Sequence, residues 1–494
     1  MSATSIGVGV VIVLAAVISA ATTSVHLPVS TGDPQAQALF DRGLFYYYAY
    51  DGPDAVRAFR AAAQRDPRLA MAYWGVALAY GPDLNTPLTV QRFGDAGRAV
   101  AQAVARYAGL PAWERTFIEA MAQRYRGTFA NRQSDETAYR RAMLAFATSS
   151  GDENAQLLTA EALFEDGGLT WRNGALASDE ARRGLELVTS VLNRDPTNPM
   201  ANHLCIHAFD FAPRRTPALA CAKRLDAASF PPQAEHLAHM AAHYWIETGN
   251  YAAALASSER TYALVSQLYA EEPLSEHVTQ YAGHDVTLGY SAAMMLGNYA
   301  VALRWAQRMG GVFKSRFEAL TALRFGRSDQ AFSAGIDQFG EPSVRGFAAV
   351  QLHQLDDARS AAAAIRAAGV PAHGYLPQLF LARFAEATGN RNEAERWIDV
   401  AQKNQHLELG GERIPLIPAE EALGGFFLRS GRNDEAAAAF TAALAAYPDD
   451  PRALFGLASA LEASGKRAQA AQARARFDAV WEGSDTNLDA DALP

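Results

Sequence analysis

Two distant stretches of this chain carry matching residues at identical offsets, and this repetition constrains the fold more than any other feature. Near the start, Gly43, Tyr46, Ala55, Phe59, Ala62 and Pro67 stand in one register; near the end, Gly424, Phe427, Ala436, Phe440, Ala443 and Pro448 stand in the same one. A unit of about 34 residues with this pattern is a helix-turn-helix. Its small positions let two antiparallel helices approach closely, its large apolar residues fill the gap, and its proline stops the second helix. More degenerate copies follow at Tyr73, Ala77 and Tyr80, at Gly249, Tyr251 and Ala254, at Gly297, Tyr299 and Ala302, and at Gly389, Glu393 and Ala394.

These residues resemble the tetratricopeptide repeat (TPR) family. The resemblance covers most of residues 36–480. It implies an all-α fold, a right-handed αα-solenoid of degenerate TPR-like hairpins over 34–480, with a histidine-rich centre at about 153–300 and an acidic tail at 481–494 that is expected to fray. The stretches 82–132, 167–177 and 265–283 interrupt the period and read as loops or insertions. The stretch 312–351 fits poorly and reads as a distorted helix pair.

A single globular core stops growing well below 494 residues, so the length itself requires several domains or a repeat array. Apolar residues are 49% and charged residues 20%, a globular balance that excludes a mainly disordered chain. The net charge of −9, without any basic stripe, argues against nucleic acid as a partner. The apolar run 6–21, followed by Thr22 and Thr23, predicts a signal peptide or N-terminal membrane anchor within residues 1–30, although no Lys or Arg precedes Arg42. The expected location is therefore exported: the periplasm, or a membrane-anchored form facing it. Cys205 and Cys221 admit either a disulfide or two buried thiols.

Seven of the eleven histidines fall between His203 and His284, about a sixth of the chain. His203 and His207 are separated by one helical turn, and His236, His239 and His243 form a second single-face stripe; His284 opens a third first helix. With Ala218, Ala254 and Ala302 as the small position of successive second helices, the resemblance places all six on the concave face. Imidazoles from neighbouring helices about 8 to 10 Å apart can then converge on one ion. The ligand set His203, His207, His236, His239, His243 and His284 suits a transition metal, with copper or zinc favoured over iron, and is large enough for two ions. Glu161 falls on the same surface as a ligand, orienting group or base. His277 is a further candidate.

Tyr47, Tyr48 and Trp74 fall at or near concave positions of the first repeats and read better as packing than as a ligand platform. Phosphate loops, GxSxG elbows and HExxH motifs are missing from the sequence. Two functions remain. The first is a transition-metal protein, with catalysis undecided; the second is a metal-free periplasmic scaffold that receives a peptide or protein partner in its groove. At least three imidazoles converging within about 4 to 5 Å of one point would favour the first, and histidines fanning outward the second.

Overall fold

A computed structural model describes residues 25–488 and 493, except 211, 272–275, 311–312, 335–341, 370–373 and 409–416; for 276–283, 313 and 406–408 it describes the backbone alone. The apolar run 6–21 lies outside the described residues, and no described helix is long and apolar enough to cross a membrane.

Helices come in antiparallel pairs throughout: α1 (Pro34–Tyr48) with α2 (Gly52–Arg65), α3 (Ala70–Ala79) with α4 (Val90–Val104), α5 (Ala112–Arg124) with α6 (Arg132–Ser150), α7 (Glu153–Gly167) with α8 (Asp179–Arg194). The central hairpins are α9 (Pro199–Phe209) with α10 (Leu219–Ala227), α11 (Glu235–Glu247) with α12 (Tyr251–Glu271), and α13 (Glu276–Met295) with α14 (Tyr299–Arg308). The last five are α15 (Phe313–Arg324) with α16 (Ser328–Ser333), α17 (Ser343–Gln351) with α18 (Leu355–Ala367), α19 (Tyr375–Ala387) with α20 (Arg391–Glu408), α21 (Ala419–Arg429) with α22 (Asn433–Ala446), and α23 (Pro451–Ala463) with α24 (Arg467–Val480). Each hairpin packs on the next, giving an all-α solenoid.

The repeated residues explain the pairing. A Cβ at Gly43 or Gly75 would overlap the Phe59 ring, and one at Gly424 or Gly456 would overlap Phe440. One aromatic therefore wedges between two first helices, and only glycine lets them close on it. Asp33, Asn198 and Asp450 cap α1, α9 and α23, each followed directly by proline in the first turn, where its missing N–H costs nothing.

Some stretches that break the sequence period are helical nonetheless. Within 82–132 only the 80–89 connection and short links are irregular, because α4 and α5 occupy the rest. The described residues of 265–283 are helical: α12 and α13, at 21 and 20 residues, run well beyond the length of a standard repeat helix. The stretch 167–177 is an insertion, a two-residue β-hairpin pairing Trp171–Arg172 with Ala175–Leu176. The stretch 312–351 differs from the one distorted helix pair expected: its described residues hold three helices, α15, α16 of only six residues, and α17, which pairs with α18.

The superhelix is tight enough to touch itself. The end of α1 packs on the start of α11 through Ala49, Ala234 and Leu237, five hairpins away. The same spacing recurs where the Tyr251 hydroxyl donates to the Pro448 carbonyl at 2.8 Å, and Gly249 meets the same carbonyl so closely that a Cβ would overlap it. Arg324 grips Glu421 through two hydrogen bonds of 2.7 and 2.8 Å, and Arg452 donates to the Met294 and Arg324 carbonyls. The acidic tail shares in this closure instead of fraying: Asp485 accepts from the Tyr299 and Ala300 amides at 2.6 and 3.2 Å, and Leu493 is buried. Its carboxylate caps α14, whose first-turn amides have no intrahelical acceptor.

Candidate metal centre

The six histidines lie on α9, α11 and α13, consecutive first helices, and form two groups of three. His203, His207 and His236 are one; His239, His243 and His284 are the other; within each, one nitrogen of every ring lies within 4.8 Å of the others. Spacing on the helices produces this split. His203/His207 and His239/His243 are i, i+4 pairs, which puts both rings of each pair on one helix face, the first pair tilted at 47° and the second edge-on at 88°. His236, three residues before His239, joins the α9 pair, and His284 approaches from α13.

In the first group the Nε2 atoms of His203 and His207 are 3.1 Å apart. The His203 Nδ1 lies 3.2 Å from the Tyr48 carbonyl, an acceptor only, and the His207 Nδ1 lies 3.2 Å from Asp210 Oδ2. Both partners call for a proton on Nδ1, which in a neutral ring leaves Nε2 as a bare lone pair. Two such lone pairs face each other. The amide of Asn85, from the α3–α4 connection, is 3.3 Å from His236 Nε2.

In the second group His243 Nε2 is approached by two other Nε2 atoms, from His239 at 2.8 Å and from His284 at 3.3 Å. A single ring nitrogen can satisfy only one neighbour through one proton or one lone pair. Asp285 Oδ1 is 3.2 Å from His239 Nδ1, within ion-pair distance but not aligned for a hydrogen bond.

The histidines are not displayed on an open groove. His203, His236 and His239 are fully buried, and His207 and His243 nearly so. The reason is the self-contact described above: the end of α1 closes over the concave side at α9 and α11. Burial holds His203, His236 and His239 well below the usual histidine range and pushes His243 down to about 4, so these rings stay neutral, as metal ligation requires.

Tyr50 is the residue that sequence reasoning missed. Its φ of 58° puts a non-glycine residue in the left-handed region at the end of α1. That turn sets its ring 4.3 Å edge-on to His203 and stacks it 5.5 Å from His236. Tyr47 also does more than pack: its hydroxyl donates to Glu161 Oε2 at 2.5 Å. Trp74 is a core residue, fully buried against Phe40 and Phe117. Glu161 itself is buried and reaches Tyr47 instead of joining either triad. Burial raises its pKa to about 8, against the Tyr47 hydrogen bond. Asp210, Glu235 and Asp285, each next to or one turn from a histidine, could have been found by that adjacency. The His277 side chain lies outside the described residues.

A cavity of about 580 Å³ meets the first group at His207 and Asp210 and is lined further by Asp83, Asn85, Arg140 and Glu165. Cys205, on the same helix as the first pair, is bonded to Cys221 and is therefore not a ligand.

Residues 427–476 match the sequence model of the tetratricopeptide repeat. Among solved structures, yeast Tom70 aligns at 14% identity over 90% of this chain and 85% of its own, with a TM-score of 0.33. The Cut9–Hcn1 hetero-tetramer of the APC/C aligns at 13% identity over 92% and 95%, with a TM-score of 0.34. No curated protein matches the sequence.

Proposed function

We propose that this chain is an exported, TPR-like solenoid that binds transition-metal ions at two tris-histidine sites, His203/His207/His236 and His239/His243/His284. The observation that carries this reading is the set of Nε2–Nε2 separations of 2.8 to 3.3 Å among rings whose Nδ1 atoms, at His203 and His207, already face acceptors. Three nitrogens each about 2.0 to 2.1 Å from one ion, arranged tetrahedrally, stand about 3.3 to 3.4 Å apart. A cation relieves the facing lone pairs of His203 and His207; without one, one of those two rings must give up its Nδ1 partner or carry a buried charge.

The carboxylate of Asp210 and the carbonyl of Tyr48 act as outer partners that orient the ligands. Three protein ligands leave a fourth position open at each ion, the arrangement of catalytic sites. Glu161 is the candidate base. Imidazole donors favour copper or zinc, with iron a third choice. Export is supported by the apolar run 6–21 and by the Cys205–Cys221 bond, which persists in oxidising compartments.

Elemental analysis of untagged protein from the exported fraction tests this. The expected result is two equivalents of copper, zinc or iron per chain. A chain that stays metal-free even after reconstitution would be better described by the second reading, an interaction scaffold, which the repeat match over 427–476 favours.

A further inference from the structure

Both triads draw on one helix. α11 sends His236 to the first and His239 and His243 to the second, so one helical turn separates the sites. Ring contacts run without a break from His203 to His236 at 5.0 Å, to His239 at 5.8 Å and to His284 at 4.7 Å. The two groups therefore share one chamber of contacting rings.

The charges around that chamber suit two ions rather than one. Asp210 faces His207, Asp285 faces His239 and couples to Glu235, and Glu161 holds Tyr47; none of the four carboxyls is more than 3% exposed. Six neutral imidazoles offer no compensation for a dication, and a buried charge is stable only when paired. Two dications sharing one hydroxide need three carboxylates for balance, and the chamber holds four carboxyls.

We propose that the two tris-histidine sites form a single dinuclear copper centre whose ions share one bridging hydroxide, reached through the cavity at Asn85, His207 and Asp210. This inference rests on the metal-binding reading above. Each ion, held by three nitrogens, lacks a fourth ligand. A water entering between the ions loses one proton to the solvent in the cavity, because metal coordination brings the pKa of water close to neutral. The oxygen left behind binds both ions, and no electron is transferred. Copper heads the affinity order for such nitrogen sites. Two copper(II) ions bridged by one oxygen pair their unpaired electrons and give no paramagnetic resonance signal, whereas isolated ions each give one.

The test is a copper(II) titration of the untagged, metal-stripped full chain, with bound copper counted by plasma mass spectrometry and the spin signal integrated on the same sample. We expect two coppers per chain with loss of almost the whole two-spin signal. In His284→Ala we expect one copper and the appearance of a full one-spin signal. Two coppers with two full spins would overturn the shared centre and leave the two metal sites standing; a single copper in the wild-type chain would overturn the shared centre and one of the two sites with it. Binding of no copper, zinc or iron would overturn both readings. If His284→Ala does not fold, the wild-type spin count decides alone.

Discussion

The Nε2 atoms of His203 and His207 face each other at 3.1 Å, while the Nδ1 atoms of the same two rings lie 3.2 Å from the Tyr48 carbonyl and the Asp210 carboxylate. The geometry that would make these rings ligands is therefore held by residues that would not touch an ion. Asp210→Asn should keep the fold and weaken metal binding at the first site by about 10- to 100-fold, since outer partners of metal-bound histidine have effects of that size. Competition with a chelator of known affinity measures it; an unchanged affinity would remove Asp210 from this role.

Metal bound to the native state alone stabilises it by mass action, by about 2.7 kcal/mol at a free concentration 100 times Kd. Stripping the ions should lower the melting temperature, and copper or zinc should restore it where magnesium does not, because oxygen-preferring ions find no suitable donors here. Calorimetry with each ion in turn checks both halves.

In the metal-free protein, burial keeps His203, His236, His239 and His243 neutral below their unfolded value of about 6.5, with His243 down to about 4. The unfolded chain takes up protons first. Stability contributed by these groups is thus complete above about pH 6.5 and falls as the pH drops toward 4, by up to about 1.4 kcal/mol per pH unit for each ring. Denaturant titrations of the stripped protein between pH 7 and 4.5 should show this slope, and a flat profile would contradict it.

Glu161 has the opposite sign. Its folded pKa of about 8 lies above the unfolded carboxyl value of about 4.3, so its contribution is complete below 4.3 and is lost as the pH rises through 8. Glu161→Gln, which cannot ionise, should gain stability relative to the stripped wild type as the pH is raised from 5 to 8. Thermal melts of the two proteins side by side read the difference.

The bond between Cys205 and Cys221 closes a loop with a sequence separation of 16 and ties α9 to α10. Loops near this size are stabilised by about 3 kcal/mol through the unfolded state. Reduction should lower the melting temperature and, because Cys205 lies between His203 and His207, should also weaken metal binding at the first site more than at the second. Copper counts on reduced His284→Ala against reduced His203→Ala separate the two.

Much of this was legible in the sequence for a physical reason. Gly43 and Phe59, or Gly424 and Phe440, are local instructions for how two helices meet, and i, i+4 spacing is a local instruction for which rings share a face. Long-range closure has no such signature. Nothing near Ala49 or Leu237 announces that they will meet, so the histidines looked exposed when they are buried. Tyr50 was missed because its role depends on a left-handed backbone at a non-glycine residue. The tail looked frayed because its composition is polar, yet Asp485 finds the open amides of α14. Likewise α12 and α13 lack the repeat's spacing and are helical all the same, since length beyond the repeat unit erases the period without removing helix propensity.

The contact between Tyr251 and Pro448 joins residues 197 positions apart. Helical arrays whose units touch only their neighbours assemble from any point and lose stability one unit at a time. Here each coil is latched to the next, and the entropy of closing those long loops has to be spent before the latches return anything. Removing one hairpin would displace every later unit from its counterpart one turn away. Such a chain should therefore melt in one concerted step and resist piecemeal shortening, so that the histidine chamber exists only when the whole coil has wound.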